Sequence, residues 1–408
     1  MTAQRTGIRG VLLLGPAFVA AIAYVDPGNV AANLSAGAKY GYLLVWVLVA
    51  ANLMAGLIQY QSAKLGLVTG QSLPELLGQR MRRWPRIGFW VQAEVIAAAT
   101  DLAEVIGGAI ALYLLFGLPL VLGGVVVGGV SMILLGVQSR FGQRPFEFVI
   151  IGLLAIIAIG FLAGLVVRPP DGAAVLGGLV PRFADTGSVL LAASVLGATV
   201  MPHAIYVHSA LARDRHGRAV GAKQTGRLLR ITKWDVSIAL TLAGIVNIGM
   251  LLLAATNLRS VHGVDTIEGA HAAIEASLGP VIAIVFSIGL LASGLASTSV
   301  GSYAGATIMA GLLRRRIPIL IRRLVTLIPA LLLLALGADP TAVLVISQVA
   351  LSFGIPFALI PLLRLTNDSR VMGDFANTLT VKILLIIAVV LVIGLNATLL
   401  VLALLGGA

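Results

Sequence analysis

Apolar residues recur in runs of about twenty along almost the whole chain, with polar residues gathered into short connections between them. A run of that length is what an α-helix needs to cross about 30 Å of hydrocarbon. Eleven such spans are predicted, at 11–36, 42–66, 87–115, 118–138, 147–167, 188–212, 236–256, 278–312, 318–336, 340–363 and 380–404. Connections such as Gly117-Leu118-Pro119 and Gly337-Ala338-Asp339-Pro340 carry helix-stopping turn residues. Two spans are interrupted. Asp26-Pro27-Gly28-Asn29 breaks the first and Met201-Pro202-His203 the sixth, 175 residues apart from proline to proline. Each break frees backbone carbonyls at membrane depth, which is tolerated only where they are buried in protein or line a cavity.

Composition agrees with a membrane protein. The chain has 408 residues, 59% hydrophobic and 11% charged, with a mean hydropathy of +1.04. A soluble domain of this length has no use for so much apolar surface. The formal charge of +12 does not point to nucleic acid, because the basic residues fall between spans instead of on one patch. With the amino terminus inside, 24 of the 28 Lys and Arg residues lie on or beside inner connections. That asymmetry satisfies the positive-inside rule and puts the carboxy terminus outside. The seven basic residues from Arg213 to Lys233 read as a cytoplasmic loop near anionic lipid. No cysteine is present, which excludes disulfides, thiolate metal sites and thiol redox chemistry. The short basic start lacks a small-residue cleavage site after its apolar run, so it reads as the first span and not as a signal peptide.

Five spans precede the sixth, so a second set of five runs through the membrane in the opposite sense. That is the signature of an inverted repeat, here residues 1–170 and 171–365, with 366–408 as an added helix. The breaks match in detail: Ala23 lies three residues before Asp26, and Ala198 three before Met201. Both alanines are placed to offer unwound carbonyls to a shared ligand. Paired breaks in two halves are the best sequence pointer to a transporter's binding site. An intramembrane aspartate costs roughly 2.5–3.5 kcal/mol on insertion scales and needs a partner. A divalent cation supplies one, with Asn29 adding an oxygen one helical turn away. Met201 contributes a thioether, which hard ions avoid and softer transition metals accept. The set points to Mn²⁺ or Fe²⁺, with Cd²⁺ as a mimic. Taken singly, Met201 is a core packing residue and Asp-Pro-Gly-Asn a surface turn. The turn is flanked by Phe18–Val25 and Val30–Leu34, where a solvated turn has no place.

The third span carries Glu94, Asp101 and Glu104, whose spacings put them on one helical stripe. Three carboxylates cannot face lipid, so they face the interior or water, as proton relay sites or as a buried ion-pair network. His203 and His208 on the sixth span add imidazoles. Arg322 and Arg323 start the ninth span and are placed to pair with the lower carboxylates. His216, His262 and His271 read as solvated loop residues. The segment 257–275, with Asp265, Glu268 and Glu275, reads as an acidic outer loop.

Asp-Pro-Gly-Asn at 26–29, Gly-Ala-Thr-Val-Met-Pro-His at 197–203, Thr-Asp-Leu-Ala-Glu at 100–104 and Ser-Gln-Val at 347–349 before Phe353-Gly354-Ile355-Pro356 together carry a resemblance. The chain resembles the Nramp family of proton-coupled divalent-metal transporters, bacterial manganese branch, over essentially its whole length. The resemblance implies an all-α integral membrane protein of eleven transmembrane helices, with the LeuT-like 5+5 inverted repeat and broken helices 1 and 6. It implies that Asp26, Asn29 and Met201 bind metal, that carbonyls of Ala23 and Ala198 join them, and that Gln348 approaches in some states. It implies a separate proton route through His203, Asp101, Glu104 and Arg323, and a bacterial inner membrane as the location. Relatives that carry magnesium or aluminium lack the methionine, and this chain keeps it. The expected partners are a divalent metal ion, protons and membrane lipid, with no nucleic acid and a monomeric chain. No catalytic nucleophile, phosphate loop or prosthetic-group motif is present, so an enzyme is not expected. The alternatives are a sodium-coupled amino-acid transporter of the same architecture, a membrane protein that senses metal without transporting it, and an ion channel.

Overall fold

The structure, a computed structural model, describes residues 15–404 apart from 142, 218, 220, 260–265 and 316–317. Among the described residues every regular element is a helix. The unbroken spans are Val45–Thr69, Arg83–Phe116, Leu120–Phe141, Gln143–Val167, Ala222–Asn257, Pro280–Leu312, Ile319–Ala335, Pro340–Asn367 and Leu379–Leu404. These are the second to fifth and the seventh to eleventh spans of the sequence reading. The first and sixth are each divided. Pro16–Ile22 runs into a three-residue 3-10 turn, Ala23–Val25, and a new helix begins at Pro27 and ends at Tyr40. Thr186–Thr199 gives way to Pro202–His216. In both cases proline takes the first position of the second half-helix, where its missing N–H costs nothing and its φ is already helical.

Four expectations need correction. The seventh span starts at Ala222, not at 236, because Lys, Arg, Gln and Leu are good helix formers and extend the helix past its apolar part. The basic segment is therefore mostly helical: Arg213 and Arg215 end one helix, while Lys223, Arg227, Arg230 and Lys233 lie on the next. Arg218 lies outside the described residues. His216 is the last residue of its helix and His271 sits within Ile267–Leu278; both are half-buried, not solvated loop residues. That outer helix forms because Thr266 caps it and Ile267, Ala270 and Ile274 bury one face, so Glu268 and Glu275 are carried on a helix as well. His262 and Asp265 lie outside the described residues.

The divided spans occupy the centre. Half-helix Pro27–Tyr40 packs on the seventh span, Pro202–His216 on the second, Thr186–Thr199 on the tenth, and the third span lies along the eighth. The eleventh span is peripheral and leaves Leu379, Ile387 and Val390 exposed. It buries a narrow stripe of Leu385, Ala388, Val392, Asn396 and Leu399.

Candidate metal centre

Asp26 stands in extended backbone between the two halves of the first span, and its carboxylate caps the second half. Oδ1 accepts the Asn29 backbone N–H at 2.8 Å, and Oδ2 accepts Gln348 Nε2 at 3.4 Å. The Asn29 side chain reaches across to the other break, its Nδ2 donating to the Ala198 carbonyl at 3.0 Å and to the Tyr24 carbonyl at 2.5 Å. Ala198 is four residues before Pro202, so its carbonyl has no helical N–H partner. Asp26, Asn29, Ala198, Met201, Ala23 and Gln348 are all at most 1% exposed. The structure thus joins Asp26, Asn29, Ala198 and Gln348 through direct contacts. Met201 is buried in the broken segment three residues past Ala198, and Ala23 opens the 3-10 turn.

Two details were not legible from sequence. The Asn29 oxygen, assigned there to an ion, is turned to Asn33 Nδ2 at 3.2 Å. A half-turn of the carboxamide exchanges oxygen and nitrogen, so the group can offer either atom to a ligand at the breaks. The carbonyls freed by the first break are also held from outside it. Tyr24 O accepts Asn247 Nδ2 at 2.7 Å, and Val25 O accepts Ser293 Oγ at 2.5 Å. Asn247 is an isolated amide in the apolar seventh span, and that isolation was the available signal.

Glycine makes the approach of the tenth span possible. A Cβ on Gly28 would lie 1.7 Å from Gln348 Nε2, and one on Gly197 would lie 2.0 Å from the Gln348 carbonyl oxygen. Gln348 therefore sits in a slot between the two breaks that only hydrogen atoms leave open. Gly28→Ala is expected to push the Gln348 amide off Asp26 and weaken Mn²⁺ binding by about tenfold, the worth of one hydrogen bond to a charged group. Calorimetric titration checks it. Affinity in Gly28→Ala, Gln348→Ala should then match Gln348→Ala alone.

A second polar cluster lies on the third span. Arg322 Nη2 donates to Glu94 at 2.7 Å, and fully buried Arg323 pairs with Asp101 while its Nε donates to Ser131 Oγ at 2.9 Å. The sequence-level pairing of these arginines with the carboxylates is the one observed. Both Glu104 oxygens are buried with no hydrogen-bond partner among the described residues, and the Asp101, Asp26 and Arg323 charges are within electrostatic range. His203 Nδ1 is 3.5 Å from Thr100 Oγ1, and its buried Nε2 has no partner among the described residues. His208 belongs to a different chain of contacts. Its Nδ1 is 2.8 Å from Gln59 Oε1, and Gln59 Nε2 donates to the Tyr24 hydroxyl. The structure therefore groups His208 with the first break, apart from the carboxylate–arginine cluster.

Residues 17–402 match the family described as Natural resistance-associated macrophage protein-like. The chain belongs to the Nramp family. This Nramp chain is 62% identical over 365 residues to the divalent metal cation transporter MntH of Mycobacterium tuberculosis, spanning 90% of this chain and 85% of that one. Its identity to the MntH of Deinococcus radiodurans is 45% over 405 residues, spanning 98% and 92%. Among solved structures, the Eremococcus coleocola manganese transporter superposes with a TM-score of 0.85 at 32% identity, covering 94% of this chain and 84% of that one. MhsT, solved with L-phenylalanine, superposes at 0.62 with 14% identity, covering 95% and 97%, which shows a shared fold alone. The Nramp chain is thus a multi-pass membrane protein with the broken-helix arrangement of LeuT-like transporters.

Proposed function

We propose that this chain imports divalent transition-metal ions together with protons, by alternating access around the paired helix breaks. The observation that carries the reading is the direct contact of Asp26, Asn29, Ala198 and Gln348 across those breaks, beside buried Met201. An anionic carboxylate, amide and backbone oxygens and a thioether form a mixed shell, which favours Mn²⁺ or Fe²⁺ over Ca²⁺ or Mg²⁺ and admits Cd²⁺. The ion is cargo and not a resident cofactor. Relatives that bear the name of divalent metal cation transporter, and a manganese transporter of the same fold, support the substrate class.

In this reading the ion enters from outside and exchanges its water for Asp26, Asn29 and Met201, with the carbonyls of Ala23 and Ala198 and the amide of Gln348 contributing as the half-helices move. The half-helices of the first and sixth spans, one broken span from each repeat (1–170 and 171–365), then rock to close the outer side and open the inner one. Protons pass along His203, Glu104 and Asp101 towards Arg323, whose guanidinium stays charged, with Glu94 and Arg322 as flanking groups; His208, proposed from sequence for the same route, stands apart beside Gln59. The location proposed is a bacterial inner membrane, with the amino terminus cytoplasmic, the carboxy terminus outside and the chain monomeric.

An amino-acid substrate is disfavoured by the site itself: Asp26 would repel its carboxylate, and Asp26 also caps the half-helix whose free N–H groups would have to receive it. The deciding experiment follows Mn²⁺ uptake and internal pH together in proteoliposomes. Saturable uptake with parallel acidification is expected; binding without uptake would leave a sensor, and non-saturating flux a channel. Met201→Ala is expected to lose about tenfold of the discrimination against Ca²⁺ while slowing Mn²⁺ uptake much less, because sulfur is the one soft donor in the set. Unchanged Ca²⁺ competition would remove sulfur from the shell.

A further inference from the structure

The tenth span contains two prolines within its helix, Pro356 and Pro361. A proline lacks the N–H that would bond the carbonyl four residues earlier and its ring pushes that carbonyl aside. The carbonyls released are those of Ser352 and Phe357. Both are taken by side chains from other helices. Tyr206 Oη of the sixth span donates to Phe357 O at 3.2 Å, and Asn396 Nδ2 of the eleventh span donates to Ser352 O at 2.8 Å.

The Asn396 contact has a second point. Its Oδ1 lies 2.7 Å from Ser352 Oγ, whose single hydrogen is shared with the Val349 carbonyl at the same distance. A lone donor would suffice to satisfy an orphaned carbonyl. Two contacts to one residue also fix how that turn of helix is rotated. Asn396 is 6% exposed and is the one amide in the buried stripe of a helix otherwise facing lipid, where a polar side chain is retained only with a partner.

Ser352 lies one helical turn beyond Gln348 on the same face. The other side of that turn rests on Gly197, where a Cβ would stand 2.0 Å from Gln348 O and 2.9 Å from Ser352 N. The segment 348–352, loosened by Pro356, is therefore gripped between the break of the sixth span and Asn396. Gln348 projects from it to Asp26.

We propose that Asn396 is a positioning residue for metal binding: it clasps the proline-loosened turn of the tenth span and so holds Gln348 against Asp26. The eleventh span, which lies outside the two repeats, then sets substrate affinity without touching the ion. This inference rests on the metal-centre reading above.

The test is Mn²⁺ uptake kinetics and calorimetric Mn²⁺ binding on the full chain in proteoliposomes, with thermal stability recorded beside them. Asn396→Leu removes both contacts and keeps the bulk. It is expected to raise KM and Kd for Mn²⁺ by about tenfold, in line with lost hydrogen bonds, and to lower thermal stability. Pro356→Ala restores the N–H that Ser352 O lacks. In that background Asn396→Leu should recover its stability, yet KM should stay raised relative to Pro356→Ala alone. In a Gln348→Ala background, Asn396→Leu should add less than about twofold to Kd, because the effect travels through Gln348. An unchanged KM, a KM rescued together with stability, or full multiplication with Gln348→Ala would each overturn the clasp. Should Gln348→Ala itself leave Kd untouched, or the wild type fail to take up Mn²⁺, the metal-centre reading fails first and the clasp with it.

Discussion

Asp26→Ala should abolish metal uptake and weaken metal binding by at least about a hundredfold. Asp26 is the only anionic side chain among the residues brought together at the breaks, so the substitution removes the whole countercharge offered to a dication. A charged hydrogen-bonding group in a buried site contributes on the order of 3 kcal/mol, which is more than two decades of affinity. Alanine also removes the cap of half-helix Pro27–Tyr40, at about 1 kcal/mol, so a loss of function alone would be ambiguous. Asp26→Asn separates the two effects. Its carboxamide oxygen still accepts the Asn29 N–H, so the helix should remain capped and the protein should keep its melting temperature within a few degrees. Uptake should nevertheless be lost. Wild-type Mn²⁺ flux through a stably folded Asp26→Asn protein would show that the ion is held elsewhere.

Asp101→Asn should separate metal from proton. Arg323 is fully buried and has Asp101 and Ser131 as its partners, so deleting the carboxylate outright would strand a buried cation at a cost of about 3–5 kcal/mol. Asparagine keeps an oxygen for the guanidinium but cannot carry a relayed proton. Positioned proton-transfer groups are worth about 10²–10⁴ in rate, so metal-driven acidification should fall by at least about tenfold. Equilibrium Mn²⁺ affinity should change by less than about threefold, because Asp101 makes no contact with the metal set. Internal pH and radiolabelled metal, followed in the same vesicles, give both numbers. Lost binding with coupling retained would exchange the two assignments and make Asp101 part of the metal site.

The features legible in sequence were those that violate a local rule. Proline and glycine inside apolar runs announced the breaks, and carboxylates spaced along one stripe of the third span announced the second cluster. Arg322 and Arg323 were recognisable as partners because charges inside spans demand neutralisation. What stayed hidden depends on which helix lies beside which. Nothing near Tyr24 in the chain says that Asn247 will take its carbonyl, nor does the sequence near Val25 name Ser293. Nothing near Pro356 points to Asn396, forty residues on. Gly28 and Gly197 could be read as bend residues, but their role in admitting Gln348 appears only when the tenth span is packed against both breaks. The misread basic segment has another cause. An apolar-window reading ends a helix where hydropathy ends, whereas the backbone continues as long as its residues favour the conformation. Amides within apolar spans, at Asn33, Gln59, Asn247 and Asn396, were the remaining signal, since each is bonded to a carbonyl, a side-chain amide or a ring nitrogen of another residue.

A helix of 36 residues is about 54 Å long, and the seventh span therefore outruns the hydrocarbon by roughly 20 Å. The surplus emerges at its start, where Lys223, Arg227, Arg230 and Lys233 are exposed. Above an anionic leaflet each of these is attracted by about 1 kcal/mol, a pull that decays within a Debye length. The helix that steadies the first break through Asn247 thus also carries, at one end, the charge that anionic headgroups would attract. On the proposed cycle, the tilt of this helix, and with it the footing of the half-helices, is expected to follow the ionic strength and lipid make-up of the membrane.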